Sequence, residues 1–141
     1  MNWQELSATS HYQTAVAVEQ ALQNGDVPEA SAGIQELIDA LSRSEKRALK
    51  SQLIRLMVHV IKWKSQPEKR SRSWRQTIRN ARCEIAESQE DTPSLTRQVI
   101  EAMWPNCFAR AKADAEDEMG QESTVAKLTW KEVLEMEYEV E

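Results

Sequence analysis

Leu49-Lys50-Ser51-Gln52-Leu53-Ile54-Arg55-Leu56-Met57-Val58-His59-Val60-Ile61-Lys62-Trp63 is the stretch whose reading decides the fold. Leu49, Leu53, Leu56, Met57, Val60 and Ile61 recur at helical spacing, which stacks them on one face of an α-helix. No other segment of the chain is as apolar, so this face is expected at the centre of the core. Ser65-Gln66-Pro67 should end the helix, because proline has no N–H and pushes the residue before it out of the helical region. Upstream, Ser42-Arg43-Ser44-Glu45 has the form of a capping box and is expected to open it.

Working outward, the N-terminal side offers two more helices. The first is expected from about Gln4 to Asn24, with Tyr12, Ala15, Val16, Glu19 and Leu22 on its face. Asn24-Gly25 closes it, since glycine accepts the left-handed conformation of a helix end. Asp26 and Pro28 suit the start of the second, whose stripe is Ile34, Leu37, Ile38 and Leu41. On the C-terminal side, residues 67–72 read as a charged connection, followed by a fourth helix lined by Trp74, Ile78, Ala81 and Ile85. Thr92-Pro93-Ser94 is a further start signal, for a helix carrying Leu95, Val99, Met103, Cys107 and Ala111. Pro105 lies inside that pattern and predicts a kink or break near Met103. Thr129-Trp130-Lys131-Glu132 is a second capping box, opening a short last helix with Val133 and Leu134.

Only 3 glycines and 4 prolines among 141 residues leave few turns, so the chain must cross its core in long elements. The expectation is an all-α fold: a single-domain helical bundle over 1–141 with about five main helices plus a short C-terminal helix. Residues 134–141 read as a frayed acidic tail. No apolar run is long enough to span a bilayer and the first residues lack a signal-peptide pattern, which predicts no membrane association. Cys83 and Cys107 do not form a CxxC pair and read as free thiols of a reducing compartment, a disulfide between two helices being the other reading.

Charge is the feature that departs from an average domain. Residues 1–42 carry six acidic and no basic side chains. Residues 43–82 carry 13 basic and two acidic, a net of +11, and residues 83–141 carry five basic and 15 acidic, a net of −10. The total of −5 therefore hides strong segregation. Lys62, Lys64, Lys69, Arg70, Arg72, Arg75, Arg79 and Arg82 crowd the end of the third helix, the connection and the fourth helix. Arg75, Arg79 and Arg82 share a helix face, and Trp63 and Trp74 offer flat surfaces on which a base would stack. The opposing reading, and the favoured one, is that the acidic flanks fold over the basic middle, with Glu36, Asp39 and carboxylates of the fifth helix as partners. Tryptophans at core spacing are likewise core more often than platform.

Catalytic and metal chemistry has little support. His59 has no carboxylate, histidine or cysteine at i±3 or i±4 and reads as a hydrogen-bonded histidine at the edge of the core. Two distant histidines and two unpaired cysteines make no zinc site, and three glycines build no phosphate loop. Asp114-Ala115-Glu116-Asp117-Glu118 lacks the ligand spacing and glycine turn of a calcium loop. No metal and no cofactor is expected.

The run Ser42-Arg43-Ser44-Glu45-Lys46-Arg47-Ala48-Leu49, then His59-Val60-Ile61-Lys62-Trp63, then Gln66-Pro67-Glu68-Lys69-Arg70-Ser71-Arg72-Ser73-Trp74-Arg75, resembles a bacterial family. It is the domain-of-unknown-function family numbered twenty-nine, well represented in cyanobacteria. Asp91-Thr92-Pro93-Ser94-Leu95 is similar to that family's acidic-Ser-Pro-Ser-Leu turn. The resemblance implies an all-helical, bacterial, cytoplasmic protein, and no activity travels with it. His59, Trp63, Gln66, Pro67, Arg70, Arg72, Trp74 and Arg75 match its motif positions without an assigned role. Ser42 stands where the family often has glycine, and Pro105 and the C-terminal segment depart from its pattern.

Three functions compete on this sequence. The favoured one is a non-catalytic interaction or adaptor protein, working as a homo-oligomer or with a protein partner. The alternative is nucleic-acid or phosphate-ligand binding through Lys62–Arg82, with Arg70, Arg72, Arg75, Arg79, Arg82 and Trp74 as the anion-binding candidates and His59 and Trp63 as polar-site candidates. An enzyme using His59 comes last, because nothing beside it supplies a nucleophile.

Overall fold

Glycine and proline scarcity is reflected in an all-α chain: the computed structural model describes residues 1–140, and no strand occurs among them. They divide into two compact units, Met1–Arg47 and Ala48–Glu141. The helices are α1 (Trp3–Thr9), α2 (His11–Gln23), α3 (Val27–Ser65), α4 (Arg72–Asp91) and α5 (Arg97–Met119), with a 3-10 turn at Pro67–Lys69 and a π turn at Lys131–Glu135.

In the first unit, the single helix expected over Gln4–Asn24 is two. Ser10 is extended (φ −156°, ψ 116°). Its N–H closes α1 on the Leu6 carbonyl at 2.9 Å, and its Oγ accepts the Gln13 N–H at 3.1 Å to cap α2. One serine thus satisfies groups of both helix ends, which a periodicity count does not see. The expected face is also wrong. Tyr12, Val16 and Leu22 are exposed, Tyr12 at 78%, while Thr14 and Val18 are buried. The hydroxyls of buried Ser7 and Thr14 donate to the carbonyls of Gln4 and Ser10, so burying them leaves no donor unpaired. The core joins Trp3, Val18 and Ala30, with Leu6, Ala17 and Ala21 against it. Gly33 is what lets Trp3 and Val18 approach α3, because a Cβ there would lie 2.7 Å from both.

Asn24-Gly25 does end α2, with Gly25 at φ 75°, and Asp26 Oδ1 caps the next helix through the Glu29 N–H at 3.2 Å. The second and third helices, however, are one. The Ser42–Glu45 capping pattern is not used as a start, and α3 runs unbroken from Val27 to Ser65. No glycine or proline lies between Ile34 and Gln66, and an interior serine costs only about 0.5 kcal/mol against alanine. The stripe of Ile34, Ile38 and Leu41 is exposed rather than buried.

The second unit is built on the decisive stretch. Leu49, Leu53, Leu56, Met57, Val60 and Ile61 are each 0% exposed. Burial of each contributes about 1.5–3 kcal/mol. Ile78, Ala81 and Ile85 of α4 and Ile100, Cys107, Ala111 and Ala115 of α5 close on them. The α5 start falls after the expected site: residues 92–96 form a turn that buries Leu95, and Thr96 Oγ1 caps the Val99 N–H. Pro105 does not break α5. Pro105 and Glu101, four residues before it, are both exposed, so the carbonyl that loses its partner faces water.

After Gly120 the chain becomes a strap along this unit. Glu116 Oε2 accepts the Ser123 N–H at 2.7 Å, and the Ser123 hydroxyl meets Ser65 Oγ at 2.8 Å. Trp104 Nε1 donates to the Leu128 carbonyl at 3.1 Å, the Trp104 ring stacks on Trp130, and the Arg97 guanidinium lies 4.2 Å from the Trp130 ring. The Thr129–Glu132 capping box forms as expected: Glu132 Oε1 accepts the Thr129 N–H, and Thr129 Oγ1 accepts the Glu132 N–H. Tyr138, inside the stretch expected to fray, is 8% exposed. Glu141 lies outside the described residues.

Candidate anion site

The Ser71 hydroxyl accepts the Trp74 N–H at 3.2 Å and starts α4 at Arg72. That register turns Ile78 and Ala81 into the core and sends Arg72, Arg75 and Arg79 to the surface. Arg82, one turn on, is half-buried and spent on the strap. Its Nε donates to the Val133 carbonyl at 2.8 Å and an Nη to the Glu132 carbonyl at 3.3 Å, while the guanidinium lies 5.6 Å from the Tyr138 ring. The Tyr138 hydroxyl donates to the same Glu132 carbonyl at 2.6 Å, and burial, with Glu132 adding to it, pushes the phenol up to about 12.

The remaining candidates divide by what lies within reach of each. Lys62 pairs with Glu118 of α5 at 3.7 Å and Lys64 pairs with Glu132 of the strap. Burial raises the Glu132 carboxyl, but the hydrogen bonds from Lys64 and Thr129 outweigh it and hold it below the usual range. Arg70 donates from Nε to the Trp63 carbonyl at 2.9 Å and covers the Trp63 ring. Arg72, Arg75 and Arg79 make no ion pair or hydrogen bond with the described residues. Lys62 and Lys64 thus follow the internal-pairing reading, and Arg72, Arg75 and Arg79 do not.

The aromatic platforms are not free. Trp63 is buried and meets Tyr138 edge-on, with ring centroids 5.5 Å apart. Trp74 is half-buried against the core, with the Lys62 ammonium 5.0 Å from its ring. His59 sits at the core edge with Nδ1 2.9 Å from the Arg55 carbonyl, so that nitrogen carries the hydrogen. Burial lowers its pKa, Lys62 and Arg55 adding to the effect and the Arg55 carbonyl and Glu118 opposing it.

A cavity of about 360 Å³ opens between α4 and the strap, lined by Arg75, Ile78, Arg79, Arg82, Glu137 and Tyr138. Exposed Cys83 is also on its wall. Of the sequence candidates, Arg75, Arg79 and Arg82 come together here; Arg70, Trp63 and Lys64 line a separate cavity of about 300 Å³, with the strap residues Glu132, Met136 and Tyr138. Glu137 and Tyr138 were not among the sequence candidates. A lone aromatic within the acidic Glu135–Glu141 run is the signal that marks this stretch as packed. Among the described residues, no cluster of His, Cys, Asp or Glu is placed to hold a metal ion, and no helix is long and apolar enough to cross a membrane.

The helical fold and the signature segments around His59–Trp63 and Gln66–Arg75 point to one family. The chain belongs to the family described as Domain of unknown function DUF29, whose model matches residues 10–139, from α2 to the end of the strap. No curated protein and no solved structure matches it.

Proposed function

We propose that the chain is a non-catalytic helical interaction module whose first unit receives a basic amphipathic helix of a partner protein. The observation that carries this is the apolar stripe Ile34, Ile38 and Leu41 on α3, which stands exposed at i, i+4, i+7 spacing, Ile38 at 54%. Tyr12, Val16 and Leu22 of α2 are exposed as well. Recognition of one helix by another uses anchors at this spacing. Large apolar side chains gathered on one small unit are uncommon on a protein that works alone. Charge selects the partner's chemistry: residues 1–42 have six carboxylates and no lysine or arginine, so a second copy of this face brings like charges together and a basic helix does not.

The test is a fluorescence-anisotropy titration with a labelled Leu/Lys amphipathic peptide, with sedimentation velocity on the protein alone. The expected result is saturable binding by a monomer, weakened more than about tenfold by Ile34→Ser with Ile38→Ser and unchanged by Arg75→Gln with Arg79→Gln. Binding that survives the double serine change would remove this face from consideration. A concentration-dependent dimer lost in the serine variant would replace the basic partner by a second copy.

A further inference from the structure

The cavity between α4 and the strap has a charge balance of its own. Three guanidinium groups, from Arg75, Arg79 and Arg82, face one carboxylate, Glu137, for a net of +2. Arg75 and Arg79 have no carboxylate partner among the described residues, so their donors are open to a ligand. Arg82 is fixed by its bonds to the Val133 and Glu132 carbonyls, so its charge is held in place before any ligand arrives. Guanidinium groups fork onto phosphoryl oxygens, and a phosphomonoester carries about −1.5 to −2 at neutral pH. That charge matches the cavity. A nucleic-acid diester, with one charge per phosphate and a chain that must continue past the acidic Glu135, Glu137 and Glu139, does not.

The rest of the lining describes the remainder of the ligand. Ile78 and the Tyr138 ring give carbon surface, and Glu137 is an acceptor able to take a hydroxyl hydrogen bond. About 360 Å³ is at the small end of ligand pockets, which run from roughly 300 to 1,000 Å³. We infer that this cavity binds a small sugar phosphate, with the phosphoryl group on Arg75 and Arg79 and a sugar hydroxyl on Glu137. The site is independent of the docking face proposed for the first unit.

Cys83 on the cavity wall provides the readout, since it is exposed while Cys107 is buried. The experiment follows N-ethylmaleimide modification of Cys83 by mass spectrometry, and heat of binding by calorimetry, with ribose 5-phosphate, ribose, inorganic phosphate and single-stranded RNA as probes. Ribose 5-phosphate is expected to bind at millimolar concentration or below and to slow Cys83 modification at least about threefold, with ribose and phosphate each weaker by about tenfold. Arg75→Gln with Arg79→Gln should abolish both signals while circular dichroism is unchanged. Glu137→Gln should reduce the preference of ribose 5-phosphate over inorganic phosphate. Equal protection by inorganic phosphate would overturn the sugar assignment. No protection by any probe, or RNA binding that alone depends on the two arginines, would overturn the site.

Discussion

Arg82 Nε donates to the carbonyl oxygen of Val133 across 2.8 Å and 51 residues of sequence. The basic segment therefore holds the acidic C-terminal strap partly through backbone carbonyls, and carboxylates are only some of its partners. Hydrogen bonds from a charged donor contribute about 1.5–3 kcal/mol each when partly shielded. The 3.3 Å bond to the Glu132 carbonyl is long and adds little beside the 2.8 Å one, so Arg82→Gln should lower unfolding free energy by about 2 kcal/mol. Hydrogen exchange of residues 131–138 should speed up in the same variant while the amides around Leu53–Ile61 change least. Arg82→Lys should restore little, since an ammonium lacks the planar fork that reaches both carbonyls.

Gly33→Ala sets two effects of known size against each other. Alanine gains about 1 kcal/mol of helix propensity over glycine. Its Cβ would lie 2.7 Å from the Trp3 ring and from Val18 Cγ2, and overpacking of this kind costs about 1–3 kcal/mol. The contact is with a large ring already buried, so the cost should win. The expected outcome is a lower melting temperature and a shift in tryptophan emission. In a Trp3→Leu background the same Gly33→Ala change should lower the melting temperature less, the Val18 contact alone remaining.

His59 makes stability depend on pH. Burial, its largest influence, lowers its pKa from the ordinary 6.5. As pH falls below 6.5, the unfolded chain takes up a proton at this site that the folded chain resists, so folding weakens. The loss ends at the lowered folded value, and above 6.5 the contribution is fully present. Urea midpoints measured between pH 8 and 5 should decline for the natural chain and decline less for His59→Gln. Equal slopes in the two proteins would refute the assignment.

The two thiols should separate cleanly. Cys83 is exposed, whereas Cys107 is 0% exposed and burial raises its pKa, with Lys50 opposing. A neutral alkylating reagent should modify Cys83 alone in the native protein and Cys107 only after denaturant is added. Cys107→Ser, which places a hydroxyl among apolar neighbours, should cost about 1–3 kcal/mol, and Cys83→Ser should be close to neutral.

The lines of the second unit were legible because its strongest signal is local. Leu49 to Ile61 repeats at helical spacing and is buried as that spacing demands, and the Thr129–Glu132 box forms its two reciprocal bonds. The first unit was misread for the same reason. Tyr12, Val16, Ile34 and Ile38 have core spacing, yet the core there uses Trp3, Val18 and Ala30. Periodicity identifies an apolar face without saying what covers it. Nor does a capping sequence act as a stop: Ser42–Glu45 lies within α3, because continuing the helix costs little where no glycine or proline intervenes.

Sequence alone determined that the chain is helical, where its most apolar face lies, and that its charge is segregated, since these depend on residue type and spacing. Only the tertiary structure decided which charges meet. Lys62 and Lys64 find carboxylates, Arg70 and Arg82 find carbonyls, and Arg72, Arg75 and Arg79 find neither among the described residues. Lys62 takes its partner from α5 and Arg70 from a carbonyl seven residues back. For Lys64 and Arg82 the outcome is set by which atoms a strap some 50 residues or more away brings within about 3–4 Å, a distance over which pairing is decided and which no one-dimensional pattern encodes.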